Sequence, residues 1–194
     1  MQATRTKYYF KDGNVVAQSG DVCVYDMDNQ FYLEIKGDLW ALESEYSVYM
    51  EQLKDLPYGN CLEIGLGLGI ASRCIMTFPK VKHLTTIEQN KDVINIHNDL
   101  KPYLDTRLNK WMLYDIFKHT IINKSGLNYL LECKEKYDFI FLDFYRAIDE
   151  DTLPLIKDMV NIAKKVLTKD GVVCGWLDPY TPVEHYEEFE NIFR

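Results

Sequence analysis

The sequence predicts an α/β fold: a parallel sheet covered by helices on both faces, preceded by a small antiparallel β-hairpin region. Three observations carry that expectation. From residue 60 onward, short apolar runs alternate with amphipathic segments of helical period. Those apolar runs are continuous rather than alternating, as in strands buried on both faces of a parallel sheet. Before residue 43, aromatic and β-branched runs are instead broken by Asp–Gly, Ser–Gly and Gly–Asp pairs at hairpin spacing.

Residues 1–42 are read as the hairpin region, with YYF, NVVA, VCVY, FYLEI and LWAL as strands and KDGN, QSGD, DMDN and KGD as turns. Residues 43–194 form the second unit. It opens with ESEYSVYMEQLKDL, where Tyr46, Tyr49, Met50 and Leu53 fall at i, i+3, i+4 and i+7 on one helix face. Five strand–helix pairs follow. NCLEIG precedes the helix GIASRCIMTF, and HLTTIE precedes NKDVINIHNDL. WMLYD is read as the third strand, followed by a loop and the helix SGLNYLLECKE. YDFIFLD leads to DTLPLIKDMVNIAKKVL, and GVVCGWL to VEHYEEFENIF.

Composition narrows the function classes. A chain of 194 residues with 47% hydrophobic residues can bury one sizeable core. No apolar run reaches the roughly 18 residues of a membrane span, and MQATRTKYYFKDG has no secretory apolar region. Cys23, Cys61, Cys74, Cys133 and Cys174 are scattered and never spaced C-x-x-C, which points to reduced core thiols and a cytoplasmic location. His83, His97, His119 and His185 lack metal-ligand spacing, so no metal is expected. A net charge of −8 with no basic block disfavours nucleic acid and suits a small, cationic or amine partner.

Chemistry concentrates in NCLEIGLGLGIAS, residues 60–72. Glycine weakens a strand, so Gly65, Gly67 and Gly69 mark a strand-to-helix turn that a ligand approaches closely. The pattern is E-x-G-x-G-x-G, not the dinucleotide G-x-G-x-x-G. Glu63 at the strand end would repel a pyrophosphate and welcome an ammonium or sulfonium. Glu88 ends the next strand, nineteen residues past Gly69 and followed by Gln89, where a carboxylate accepts both hydroxyls of an unphosphorylated ribose. Asp115, closing WMLYD, could accept from an adenine amino group or cap the next turn. Asp143 closes YDFIFLD, placed to orient a nucleophilic nitrogen or take its proton, unless it caps the helix beginning near Asp149. Tyr145 could add a hydrogen bond or an aromatic wall against a cation.

LEIGLGLG, TTIEQN and YDFIFLD resemble, in order, the glycine, second acidic and fourth motifs of the class I S-adenosylmethionine-dependent methyltransferase superfamily. The resemblance spans residues 60 to about 176. It implies a Rossmann-like parallel-sheet methyltransferase fold. It also implies bound S-adenosylmethionine or a close relative, with Glu63 and the glycine loop on the methionine moiety and Glu88 on the ribose.

Two subfamilies share further segments. FYLEIKGDLWALESEYSVYMEQL is similar to the hairpin domain and Y-x-E element of the spermidine synthases, with Tyr49 and Glu51 as the pair, and EQNKDVI to their E-I-D-x-x-V-I. Their D-S-S-D-P and following G-P-A pattern is replaced here by DFYRAIDED, and their L-D-G element by EIKGD. EYSVYM, LEIGLGLGIAS and LDFYRAI are similar to segments of the guanidinoacetate-type N-methyltransferases, implying Asp143 and Tyr145 at the acceptor. The leading expectation is methyl transfer from S-adenosylmethionine to a small nitrogenous acceptor. The alternatives are aminopropyl transfer from decarboxylated S-adenosylmethionine and a catalytically idle cofactor-binding module. The sequence stops one helix after GVVCGWL, so a shortened C-terminal end and a homodimer are also expected.

Overall fold

A computed structural model of the chain describes residues 13–108 and 118–194. Hairpin chemistry shapes the N-terminal unit. Strands β1 (Asn14–Ser19), β2 (Val22–Met27), β3 (Gln30–Ile35) and β4 (Asp38–Leu42) pair antiparallel in chain order. At the β2–β3 turn Asp28 and Asn29 have φ 52° and 61°, and at the β3–β4 turn Lys36 and Gly37 have φ 54° and 85°. Two consecutive left-handed residues give the twist that closes a two-residue hairpin. Val22, Val24, Phe31 and Leu33 are buried on one face of this sheet. The YYF segment lies outside the described residues.

A 3₁₀ turn, Glu43–Glu45, leads into α1 (Tyr46–Leu53). The strand–helix series then runs β5 (Gly59–Ile64), α2 (Ile70–Thr77), β6 (Val81–Glu88), α3 (Lys91–Leu108), β7 (His119–Asn123), α4 (Gly126–Glu132), β8 (Tyr137–Leu142), α5 (Thr152–Ala163), β9 (Leu167–Gly175) and α6 (Val183–Phe193). The second sheet is parallel, in the order β7-β6-β5-β8-β9. No helix among the described residues is long and apolar enough to cross a membrane.

The third strand of the described series lies in the stretch expected to be a loop. The strand paired with β6 is His119–Asn123, with Ile87 opposite Ile122 and Glu88 opposite Asn123. Residues 111–115, including Asp115, lie outside the described residues. The observed strand is half-buried at the sheet edge, where full apolar character is not required. The preceding helix also runs past its expected end and carries Pro102 within it.

Strand order reverses at β5, which has β6 on one side and β8 on the other. Open α/β sheets bind ligands in the crevice beyond the strand ends at such a reversal. The N-terminal sheet is held beside that crevice by α3. Ser19 Oγ donates to Asp92 Oδ1 at 2.5 Å. Arg107 pairs with Asp26 at 3.3 Å and Glu43 at 3.1 Å, its guanidinium 4.1 Å above the centre of the Phe31 ring. The strands of this sheet form their own layer rather than extending the edge at β7 or β9.

Candidate active site

A cavity of ≈ 690 Å³ opens at the carboxyl ends of β5, β6 and β8, with the N-terminal sheet as its far wall. Its floor is the glycine loop. Gly65 has φ +102°, and a Cβ there would lie 1.9 Å from the backbone oxygen of Asp143. Gly67 faces open space, since a Cβ would meet only Ala41, at 3.6 Å. Gly65 and Gly67 line the cavity; Gly69 does not. A Cβ on Gly69 would meet His97 Cε1 at 2.4 Å, so this glycine serves packing beneath the loop. Arg73, wholly buried there, donates from Nη1 to the Gly69 carbonyl and from Nη2 to Asp105.

Glu88 lines the cavity, and its carboxylate ties two loops together. Oε2 accepts from Leu66 N–H at 3.0 Å and Oε1 from Asn90 N–H at 2.7 Å. Burial raises its pKa, opposed by those backbone donors. Gln89 lines the cavity beside it, and its carbonyl accepts from Asn123 Nδ2 at 3.1 Å. Ser125, Gly126 and Leu127, with Met159 and Ile162, also line the cavity.

Glu63 is placed otherwise than its strand-end position suggested. Its side chain is wholly buried and does not line the cavity. Oε2 accepts from the Ser72 and Thr86 hydroxyls, each at 2.5 Å, while Oε1 has no partner among the described residues. Burial outweighs the two hydroxyl donors and lifts its pKa to about 8. Thr86 Oγ1 also lies 2.7 Å from His119 Nε2, extending a buried polar chain under the loop.

Asp143 lines the cavity, and Tyr49 Oη donates to its Oδ2 at 2.7 Å. Burial pushes the carboxyl up to about 7, the tyrosine donor pulling against it. Tyr49 is held by Trp176, 4.1 Å between ring centres, and by the edge of Phe141 at 6.1 Å. Its own hydroxyl stays protonated, because burial and then Asp143 raise its pKa. Asp143 is not the cap of α5; that place belongs to Asp149, whose Oδ1 accepts from the N–H of Asp151 and Thr152.

Tyr145 lines the cavity with its ring, while its hydroxyl donates to the Trp176 carbonyl at 2.6 Å. It is a wall rather than a free donor. Sequence reasoning set Tyr49 on a core face and passed over Trp40 and Asp158, both of which line the cavity. Glu45 also lines it, whereas Glu51 of the Y-x-E pair is exposed. Helical periodicity could locate Tyr49 but not the acid it meets, 94 residues away.

The family model of the spermine/spermidine synthase domain matches residues 43–193. Among curated relatives, polyamine aminopropyltransferase 1 of Streptomyces coelicolor is 27% identical over 121 residues, 60% of this chain and 22% of that protein. The polyamine aminopropyltransferase of Buchnera aphidicola is 26% identical over 155 residues, 74% of this chain and 50% of that protein. The chain spans about half, or less, of the length of these relatives. The spermidine synthase of Thermotoga maritima superposes with TM-score 0.67 at 18% identity, covering 92% of this chain and 62% of that one. A spermidine synthase bound to the transition-state analogue AdoDATO gives TM-score 0.66 at 17% identity, covering 92% and 63%. The chain belongs to the spermine/spermidine synthase domain family. These matches correct the order of the two enzymatic expectations: aminopropyl transfer stands ahead of methyl transfer.

Proposed function

We propose that this member of the spermine/spermidine synthase family transfers an aminopropyl group from decarboxylated S-adenosylmethionine to a small amine. The observation that carries the reading is the charge of the cavity. Glu45, Glu88, Asp143 and Asp158 line it, and no Lys, Arg or His does so among the described residues. A donor bearing only positive charge suits that lining, whereas the carboxylate of intact S-adenosylmethionine would face acids with no cation to answer it.

The residues present fit such a nucleoside. Gly67 leaves the loop open to a close approach, Glu88 stands at the strand end for the ribose, and Leu127, Met159 and Ile162 form an apolar slot for the base. The bound donor supplies an electrophilic carbon beside a sulfonium; its carbon–sulfur bond breaks, the electron pair leaving on sulfur, as the amine nitrogen bonds to that carbon. Asp143 orients the attacking nitrogen and takes the proton it sheds. A carboxyl with pKa about 7 is half ionised at neutral pH, a good match for a base that must accept and release a proton. Tyr49 fixes the carboxylate through its hydrogen bond to Oδ2. Glu63, out of contact with the cavity, supports the loop from below.

Calorimetry with the two nucleosides tests the reading. The decarboxylated form is expected to bind at least tenfold more tightly, and Asp143→Asn to slow thioether release while leaving that affinity within threefold. Preference for intact S-adenosylmethionine, with S-adenosylhomocysteine as product, would restore the methyl-transfer reading. Tight binding without transfer to any amine would leave an idle binding module.

A further inference from the structure

We propose that Arg146 forms an anion-binding end of the acceptor site, so that the amine used by this chain carries a carboxylate at its far end. The proposal rests on the transferase reading above. A second cavity of ≈ 270 Å³ adjoins the first, with Trp40, Phe144, Tyr145 and Leu155 lining both. Among the described residues lining either cavity, Arg146 is the one basic side chain. It follows Asp143 by three residues on the loop between β8 and α5, and three residues of chain span at most about 11 Å. A short linear molecule can therefore touch both.

The charge of Arg146 is only partly answered. Nη1 meets Asp38 Oδ1 at 3.1 Å, but the two side chains are 40% and 55% exposed, and so open a pair is weak and easily exchanged. The pair engages a single guanidinium nitrogen. A ligand carboxylate could take the planar fork at two points, against the apolar faces of Trp40 and Phe144. The acid that lines this second cavity, Asp149, is committed to the start of α5 through the N–H groups of Asp151 and Thr152. A distal ammonium would thus find a guanidinium where it needs a free carboxylate.

The test uses the full chain, decarboxylated S-adenosylmethionine and two acceptors of equal length, 4-aminobutanoate and 1,4-diaminobutane. Thioether release gives kcat/KM for each. The amino acid is expected to be preferred at least tenfold, Arg146→Lys to keep that order with a smaller ratio, and Arg146→Asp to reverse it. Donor affinity is expected to stay within threefold in every variant. Preference for the diamine, or an unmoved ratio in Arg146→Asp, overturns the proposal while the transfer reading survives. If neither amine is turned over, the transfer reading fails on that count, and calorimetry on protein saturated with methylthioadenosine decides the Arg146 site. Binding of 4-aminobutanoate that Arg146→Asp abolishes supports it, and absence of such binding overturns it.

Discussion

Tyr49→Phe isolates the bond that tunes Asp143. The substitution removes one hydroxyl, and the ring keeps its place against Trp176 and Phe141 because both contacts are with the ring itself. In the native chain the hydroxyl donates to Asp143 Oδ2 at 2.7 Å and favours the ionised carboxyl. A hydrogen bond to a charged group is worth about 1.5–3 kcal/mol, and each pH unit corresponds to about 1.4 kcal/mol. Loss of the donor should therefore raise the pKa of Asp143 by about 1–2 units, from a starting point near 7. Since the base must be ionised to accept a proton, the rising limb of kcat/KM against pH, which reports the free protein, should move toward higher pH by that amount. At pH 7 kcat/KM should fall roughly 5- to 50-fold, most of it regained by pH 9. The assay is thioether release at donor and acceptor concentrations well below saturation from pH 5.5 to 9.5, on wild type and variant. The titration of the acceptor amine is common to both and cancels in the comparison. A limb that stays within 0.3 units of wild type, or a loss equal at every pH, would refute the role given to this bond.

Two further changes probe the frame under the site. Gly65→Ala would place a methyl 1.9 Å from the Asp143 carbonyl at φ +102°. Backbone must shift, at a cost of about 3 kcal/mol or more and a melting temperature lower by roughly 6–12 °C; a thermal melt within 2 °C of wild type would contradict the close approach. Glu63→Gln tests the buried acid: with its folded pKa raised to about 8 from 4.5, the stability it contributes is complete below 4.5 and lost as pH rises through 8. The variant, unable to ionise, should melt with a flatter pH dependence, gaining on wild type steadily from pH 5 to 8.5, and parallel curves would refute the assignment.

Much of this architecture is legible in the residues, and the exceptions have physical causes. The central strands β5, β6 and β8 are buried on both faces, so their apolar runs stand out. The edge strand β7 needs only partial burial, and HTIIN is less apolar than the nearby WMLYD, which drew the expectation instead. The glycine loop, Glu88 and Asp143 are visible because strand ends at a reversal of order have one geometric meaning. Glu63 could not be assigned a face, because every residue from Cys61 to Ile64 is buried and alternation carries no signal. Its partners Ser72 and Thr86 come from an adjoining helix and strand. For Tyr145 the sequence left a hydrogen bond and an aromatic wall both open, because the Trp176 carbonyl that takes its hydroxyl reaches it only once β9 lies beside β8.

The site's acids give the proposed transfer an electrostatic basis. Burial raises the pKa of Glu88 and Asp143 alike, so in the free protein each carries its charge at a cost. Glu88 offsets that cost with two backbone donors, Asp143 with one tyrosine hydroxyl, and no basic side chain lines their cavity among the described residues. In the proposed reaction the missing positive charge is what a sulfonium and an amine would supply together on entry. The basic side chain that stands nearby, Arg146, lines the adjoining cavity instead of this one. Charge is therefore sorted along the crevice, acids around the reacting centre and a guanidinium beyond it. That order is the one expected for an acceptor that brings its nucleophilic nitrogen inward and its own negative group behind.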